Sequence, residues 1–188
     1  MRVIAGAAKG HPLQAPPGTD TRPTTDRVKE ALFSMLQPDL PGAEVLDLYA
    51  GSGALGIEAL SRGAEHAVFV ERSRRACDVL RANLATTDLA DRATILRGDA
   101  EHVLGRPASR RFHIVLLDPP YSLPATEVVE LFPLLRPHLA RGAIVTLERG
   151  VHDEPVEWPA WLRATRDRHY GDTRLQTATY DDPEAGRA

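Results

Sequence analysis

Four acidic residues lie within or directly after short apolar runs, and they are the side chains of this sequence best suited to chemistry. Asp47 lies inside the run 45–49, while Glu71, Asp99 and Asp118 end or follow later runs. Apolar runs that alternate with helical patterns indicate the strands of a mainly parallel sheet. Because parallel strands end at the same edge, we expect these carboxylates to line one crevice. Carboxylates accept hydrogen bonds, so the crevice suits a ligand rich in donors.

A glycine-rich turn directly after the first apolar run predicts the ligand-binding turn of the sheet. Gly51 and Gly53 can adopt backbone angles closed to other residues and let the main chain approach a ligand closely. The next residues predict a helix whose first N–H groups point toward the same crevice. With Gly56, the spacing also satisfies the dinucleotide fingerprint G-x-G-x-x-G, so the glycines alone leave a nicotinamide-binding oxidoreductase open.

The position of Asp47, four residues before Gly51, favours a different ligand. A carboxylate at the end of the first strand would repel a pyrophosphate but suits a cationic ligand. S-adenosylmethionine carries an ammonium and a sulfonium and no phosphate. On these residues the stretch resembles motif I of the class I S-adenosylmethionine-dependent methyltransferases. The resemblance implies that the cofactor lies against Asp47, Tyr49, Gly51, Ser52 and Gly53.

The next two strand ends carry the residues expected to hold the nucleoside part of that cofactor. Glu71 lies 20 residues after Gly51, the spacing at which such sheets place an acid on the ribose hydroxyls. Asp99 resembles the residue that accepts the adenine amine in this class, with the Ala100 N–H facing a ring nitrogen. Arg72 covers one face of the adenine in this interpretation, although a plain surface role fits it equally well.

Residues 118–121 read Asp-Pro-Pro-Tyr and resemble the (Asp/Asn)-Pro-Pro-(Tyr/Phe) motif of methyltransferases that act on planar exocyclic amines. The lone pair of such an amine is delocalised into its ring. If the Asp118 carboxylate and the Pro119 carbonyl accept the amine hydrogens, the lone pair becomes free to attack a methyl group. The prolines hold both acceptors rigid, as in-line displacement requires. Tyr121 supplies a flat face for the target ring, so Asp118, Pro119 and Tyr121 are the predicted catalytic residues.

These motifs indicate an amine on a base or an amide but leave guanine N2, adenine N6 of DNA and a protein glutamine open. The first 40 residues favour one of them. Residues 2–6 and 22–33 resemble the N-terminal signature of the RsmD family, bacterial methyltransferases that modify one guanine N2 in 16S ribosomal RNA. With motif I, Glu71, residues 118–121 and residues 170–173, the resemblance covers nearly the whole chain.

The resemblance implies methyl transfer from S-adenosylmethionine to 16S rRNA in an assembling small ribosomal subunit, with S-adenosylhomocysteine as the product. The family's usual N-terminal hairpin is more basic and often carries an aromatic residue near Lys9, where this chain has two alanines. We therefore expect RNA binding to depend more on Arg2, Arg22 and Arg27. The predicted RNA contacts are Arg2, Lys9, Arg22, Thr24 and Arg27.

The order of the predicted elements gives the fold class, a Rossmann-like α/β methyltransferase with a seven-stranded, mainly parallel sheet and helices on both faces. A hairpin of 163–170 and 173–180 closes the sheet, as is typical of methyltransferases and not of dehydrogenases. Residues 125–140 predict a helix interrupted at Pro133 and Pro137. Residues 2–5 and 11–14 predict a β-hairpin, so we divide the chain into an extension at 1–22, in contact with RNA, and a methyltransferase domain at 23–188.

Composition narrows the remaining alternatives. The chain has 188 residues and a formal net charge of −3, so its net charge does not indicate nucleic-acid binding. One cysteine, Cys77, is too few for a disulfide or a zinc site, and no run reaches membrane-spanning length. We therefore expect a cytoplasmic, monomeric protein without a metal. A non-catalytic RNA-binding domain is a weaker alternative.

Overall fold

Seven strands make a single sheet in the computed structural model, which describes residues 1–16, 26–120 and 122–181. The strands are β1 Glu44–Leu48, β2 His66–Glu71, β3 Ala93–Arg97, β4 Phe112–Leu117, β5 Leu139–Gly150, β6 Leu162–Tyr170 and β7 Thr173–Tyr180. Their spatial order is β3-β2-β1-β4-β5-β7-β6. The first five strands run parallel, and β7 runs antiparallel to β5 and β6. The predicted sheet is confirmed, including its closing antiparallel hairpin.

Helices cover both faces of the sheet and divide the core into two clusters. They are α1 Asp26–Leu36, α2 Ala54–Ser61, α3 Arg74–Thr86, α4 Ala100–Leu104 and α5 Ala125–Leu135. Apolar residues of α1, α2 and α3 pack on one face. Those of α4 and α5 pack on the other. Because the central strands are buried on both faces, their sequences read as nearly continuous apolar runs.

The chain reverses its direction of strand addition between β1 and β4. Strand β1 pairs with β2 on one side and with β4 on the other, and Asp47 is opposite Leu116 in that second pair. In open α/β sheets a ligand binds at such a switch point, beyond the carboxyl ends of the strands. The topology therefore places Asp47 and Asp118 at neighbouring strand ends.

The predicted helical segment over 125–140 has its expected break near Pro137, but the predicted interruption at Pro133 is wrong because Pro133 lies inside α5. Helix α5 ends at Leu135, a 3₁₀ turn follows at Arg136–His138, and β5 begins at Leu139. Pro137 lacks the N–H that a continued helix needs. The ring of the buried His138 bonds to the Leu104 carbonyl at 2.9 Å, which fixes the turn against α4.

The N-terminal hairpin is shorter than the sequence predicted. One antiparallel bridge joins Arg2 to Pro12, and neither flank forms a regular strand. Pro12 has no N–H to extend the ladder. Val3 N–H donates to the His11 carbonyl at 3.0 Å, and Leu13 N–H donates to the Met1 carbonyl at 2.9 Å, so the two arms still meet. We call residues 1–16 the N-terminal extension.

A buried charge cluster under the N-terminal extension fixes it to α2. The Glu58 carboxylate, with 0% of its surface exposed, accepts the N–H groups of Ile4 at 2.8 Å and Ala5 at 3.0 Å. Its oxygens also lie 3.6 Å from Lys29 Nζ and 2.7 Å from Arg62 Nε. Burial lowers the pKa of Lys29, and the Glu58 charge opposes that change. The N-terminal extension is therefore attached to α2 by hydrogen bonds to Glu58, whose charge is paired with Lys29 and Arg62.

Replacing Glu58 tests whether this network holds the extension. Glu58→Ala removes the buried anionic partner of Lys29 and the acceptor of the Ile4 and Ala5 N–H groups, so we expect the free energy of unfolding to fall by about 3–5 kcal/mol. Urea denaturation followed by circular dichroism measures it. Glu44→Gln, which breaks the exposed pair with Arg110, is the control and should cost less than about 1 kcal/mol. Equal losses in the two variants would contradict a special role for Glu58.

Candidate functional site

The turn after β1 uses three residues with positive φ in quick succession. Tyr49, Gly51 and Gly53 have φ of 65°, 54° and 79°. The φ of Gly53 favours glycine, and a Cβ there would lie 2.1 Å from Leu80 Cδ1, so that side chain of α3 would have to shift. A Cβ at Gly51 would meet only the Tyr49 carbonyl oxygen, at 3.9 Å, so the space beside that backbone is open. We call residues 49–53 the glycine turn.

Asp47 joins β1 to the helix that follows the glycine turn. Its side chain is buried, and Oδ2 accepts the Gly56 N–H at 2.9 Å. A Cβ at Gly56 would lie 2.3 Å from the Phe69 ring and 3.0 Å from Oδ2, so only glycine permits this approach. Oδ1 is also buried and has no hydrogen-bond partner among the described residues. Asp47 thus positions α2 and brings an uncompensated polar atom to the site.

The environment of Asp47 disfavours its charge. Burial raises its pKa to about 8, against a partial opposing effect of the Gly56 hydrogen bond. The charges of Asp118 and Glu71 raise this pKa further, which shows that the three acids share one electrostatic environment. The sequence led us to expect a simple anionic group here. Burial instead favours the neutral form of this carboxyl group at neutral pH.

Glu71 connects the end of β2 to the glycine turn. One carboxylate oxygen accepts the Gly51 N–H at 2.9 Å, and the other accepts the Ser73 N–H at 2.7 Å. Ser73 in turn caps α3, because its hydroxyl accepts the Ala76 N–H at 3.3 Å. Each carboxylate oxygen has a second lone pair, so Glu71 can still accept hydroxyl groups of a ligand.

A cavity of about 640 Å³ opens at the carboxyl ends of β1, β2, β3 and β4. Most of the predicted cofactor and catalytic residues line it, namely Asp47, Tyr49, Gly51, Ser52, Glu71, Arg72, Asp99, Ala100, Asp118 and Pro119. Gly53 does not line the cavity and acts through packing instead. Tyr121 lies outside the described residues, so its catalytic role stays a prediction.

Two glutamates that the sequence did not single out also line the cavity. Glu101 follows Ala100 in α4, and Glu127 lies in the first turn of α5. Burial raises the pKa of Tyr49 to about 12, and the charges of Glu101 and then Glu127 add to that shift. Helical acids carry no strand-end spacing, so the sequence offered no signal that either would face the crevice.

The loop after β4 is held by the end of β5. Leu123 N–H donates to the Pro120 carbonyl at 2.8 Å, and the Leu123 carbonyl accepts Arg149 Nη1 at 2.6 Å. Arg149 is 5% exposed, and its Nε lies 3.1 Å from Asp153 Oδ2, an ion pair whose geometry falls short of a hydrogen bond. Pro119 is buried. Pro120 and Leu123 are therefore joined to each other and, through Arg149, to the end of β5.

Three of the five predicted RNA-contact residues fall within the described part of the chain, on the N-terminal extension and α1. Arg2, Lys9 and Arg27 are exposed, and Arg2 Nε is 3.8 Å from Asp26 Oδ2. Arg22 and Thr24 fall outside the described residues and remain predictions. The extension also reaches the cavity, which is lined in part by Met1, Ala15 and Pro16.

The described ranges 1–16, 26–120 and 122–181 contain no cluster of three or more histidine, cysteine, aspartate or glutamate side chains arranged to hold a metal ion. Over the same ranges, no helix is both long enough and apolar enough to cross a bilayer.

The hydrogen-bond acceptors of the cavity fit a cationic nucleoside such as S-adenosylmethionine. Glu71 offers acceptors for ribose hydroxyls, and Asp47 carries a buried oxygen with no hydrogen-bond partner among the described residues. The open backbone at Gly51 admits close contact. Asp99 begins α4 without a side-chain cap bond, so its carboxylate is available to an amine. A phosphate group would instead meet acids at each strand end.

The fold and this cavity define a class I methyltransferase. The chain belongs to the family described as conserved hypothetical protein 95, whose profile matches residues 1–179. This is the RsmD family of the sequence resemblance.

Individual relatives agree with that assignment. The ribosomal RNA small subunit methyltransferase D of Escherichia coli strain K12 is 38% identical over 164 residues, which cover 84% of this chain and 81% of that protein. YlbH of Bacillus subtilis is 44% identical over 178 residues, 91% and 94% of the two chains. The solved structure of YhhF from Escherichia coli has a TM-score of 0.86 at 33% identity and covers 97% of this chain and 98% of its own.

The raised pKa of Asp47 predicts how the stability of the ligand-free protein changes with pH. The pKa of Asp47 in the folded protein lies above its ordinary value. Its contribution to the free energy of unfolding is therefore greatest below about pH 4 and falls as the pH rises toward 8. Asp47→Asn removes this titration. The free energy of unfolding of the variant should therefore gain on that of the wild type by about 1.4 kcal/mol per pH unit between pH 5 and 7.

Denaturant titrations of both proteins at several pH values measure the difference. A difference that stays constant across this range would show that Asp47 is ionised in the folded protein and would contradict the account of its burial.

Proposed function

We propose that this chain transfers a methyl group from S-adenosylmethionine to the exocyclic N2 of a guanine in 16S ribosomal RNA. The observation that carries the proposal is the cavity in which Asp118 and Pro119 of the β4 end meet Asp47 and Glu71 of the neighbouring strand ends. The name of the Escherichia coli relative supports a small-subunit rRNA substrate. Guanine N2 is supported by the Asp-Pro-Pro-Tyr sequence and by the N-terminal signature.

S-adenosylmethionine, when bound, supplies an electrophilic methyl group on a sulfonium. Glu71 binds the ribose hydroxyls with the lone pairs that its two backbone contacts leave over. Asp99, with the N–H of Ala100, recognises the adenine edge, and Arg72 covers one adenine face. Asp47 fixes the glycine turn through α2 and becomes ionised when a cation lies near it. The turn backbone at Gly51 and Ser52 then lies against the ligand.

Asp118 and Pro119 act on the target amine. The Asp118 carboxylate and the Pro119 carbonyl each accept one N2 hydrogen, which turns the nitrogen lone pair away from the guanine ring. Bound S-adenosylmethionine would supply the methyl group that this lone pair attacks and would leave as S-adenosylhomocysteine. The proton lost from N2 would pass to the Asp118 carboxylate that holds it or to solvent. Tyr121 stacks on the guanine, which must leave its own stack to reach it. Electrostatic and hydrogen-bond acceptors fixed before the reaction need no reorganisation during it.

The N-terminal extension supplies the RNA-binding face. Arg2 and Lys9 are exposed on the same extension that contributes Ala15 and Pro16 to the cavity, and Arg27 follows on α1. A phosphate backbone held there would place a nearby base at the cavity mouth. We extend the proposal to a monomer that acts in the cytoplasm on an assembling small subunit, with Arg22 and Thr24 as further RNA contacts.

The substitution Asp118→Ala tests the chemistry. It removes one of the two acceptors for the amine hydrogens, so we expect the rate of methyl transfer to small-subunit rRNA to fall by about a hundredfold or more. S-adenosylhomocysteine should bind within about threefold of wild type, because its contacts remain. Asp118→Asn keeps an oxygen acceptor and should retain part of the activity. Transfer of a radiolabelled methyl group and calorimetric titration measure the two quantities.

The biological substrate is tested in a strain that lacks this chain. Mass spectrometry of its rRNA should show one guanine without its N2 methyl, restored by the wild-type chain and not by Asp118→Ala. DNA and glutamine-containing peptides, assayed beside immature subunits, separate the two amine alternatives. Near-normal turnover of Asp118→Ala on RNA would contradict the mechanism, and an unchanged rRNA methylation pattern would contradict the substrate.

A substitution at Arg149 tests whether methyl transfer depends on the contact between Arg149 and the loop after β4. Arg149→Met keeps the apolar length and removes the donor to the Leu123 carbonyl. We expect kcat to fall by about tenfold to a hundredfold, because small displacements of a reacting group are costly. The affinity for S-adenosylhomocysteine should not change. Arg163→Met, which breaks an exposed pair with Asp181, is the matched control. Equal kcat values in both variants and the wild type would show that the loop needs no such support.

A further inference from the structure

One buried amide in α3 joins two walls of the cavity. Asn83 is 1% exposed, and its side chain makes three hydrogen bonds to main-chain groups that lie far away in sequence. Gln14 N–H donates to Asn83 Oδ1 at 2.8 Å, and Asn83 Nδ2 donates to the Gln14 carbonyl at 3.0 Å. Nδ2 also donates to the Ser52 carbonyl at 2.9 Å.

The two partners of Asn83 belong to different parts of the site. Ser52 is a residue of the glycine turn and lines the cavity. Gln14 directly precedes Ala15 and Pro16, which line the cavity from the side of the N-terminal extension. No strand ladder joins Gln14 to Ser52 among the described residues, where the extension forms a single β-bridge, between Arg2 and Pro12. The amide of Asn83 therefore holds the glycine turn and the end of the N-terminal extension in a fixed position relative to each other.

The polarity of Asn83 is explained only by these contacts. The helix face around it is apolar, with Leu80 and Leu84 buried beside it. A leucine would fill similar space and extend that face. A buried amide is expensive unless its donors and acceptor are satisfied, and here the backbone of Gln14 and Ser52 satisfies them.

We propose that Asn83 is a positioning residue for cofactor binding, which makes the N-terminal extension a fixed wall of the cofactor cavity. This rests on the proposed function in one respect, that the cavity takes S-adenosylmethionine. With the amide in place, the wall formed by Ala15 and Pro16 is ordered before the ligand arrives. Without it, binding must order that wall, and the affinity falls.

The test compares Asn83→Leu with Thr87→Val in the full-length chain. Thr87 is also a buried polar residue of this region; its hydroxyl donates to the Asn83 carbonyl at 2.8 Å, and it has no hydrogen bond to Gln14 or Ser52. Calorimetry with S-adenosylhomocysteine should give a Kd about tenfold higher for Asn83→Leu, as lost pre-organisation predicts, and an unchanged Kd for Thr87→Val. Hydrogen exchange should show faster exchange at the Gln14 amide in Asn83→Leu alone.

A second variant covers the case in which Asn83→Leu does not fold. Gln14→Pro changes an exposed residue, removes the N–H that donates to Asn83 Oδ1 and leaves the sequence of α3 unchanged, so it should raise the Kd by a smaller factor. If the wild type binds S-adenosylhomocysteine and the Asn83→Leu and Gln14→Pro variants bind it equally well, the positioning role of Asn83 is wrong and the proposed function is unaffected. If the wild type does not bind it, the proposed function fails and this inference fails with it.

Discussion

The hydrogen bond from the Gly56 N–H to Asp47 Oδ2 is the constraint on which the site depends. It joins the end of β1 to α2 inside the core, and it is possible only because residue 56 has no Cβ to collide with Phe69. The glycine turn between them must then close within a few residues, which explains the positive φ angles at three of its five residues. The carboxyl group that makes this bond is buried and close to Asp118 and Glu71, so the same contact gives the site its electrostatic character.

The remaining walls of the cavity are held by contacts of a similar kind, in which a side chain satisfies irregular backbone. Glu71 accepts N–H groups of the glycine turn and of the α3 cap, and Arg149 donates to the loop after β4. Asn83 does the same for the N-terminal extension. Irregular segments have no ladder partners of their own, so such supports are needed wherever a loop must hold a reacting group still. The walls of the cavity are thus held by Glu71, which lines it, and by Arg149 and Asn83, which do not.

Much of this could be predicted from the sequence because it depends on local pattern. Strand β4 follows from an apolar run, and β7 follows from the turn at Gly171 and Asp172 that precedes it. The strand-end acids follow from the parallel topology that the apolar runs imply. The contacts missed are those between distant segments. A lysine at position 29 looks like a surface residue until Glu58 is known to lie beneath it. Asn83, Arg149 and Glu127 sit in ordinary helical or strand patterns, and only the folded chain shows what each one meets.

The central claim is that acids gathered at neighbouring strand ends form one pocket for S-adenosylmethionine, with Asp118 facing its reactive end. A crystal structure of this chain with S-adenosylhomocysteine tests it most directly. The account predicts both ribose hydroxyls within about 3.2 Å of the Glu71 carboxylate and the sulfur on the side of the cavity that Asp118 lines. An adenosine bound outside the cavity, or a sulfur turned away from the end of β4, would contradict it.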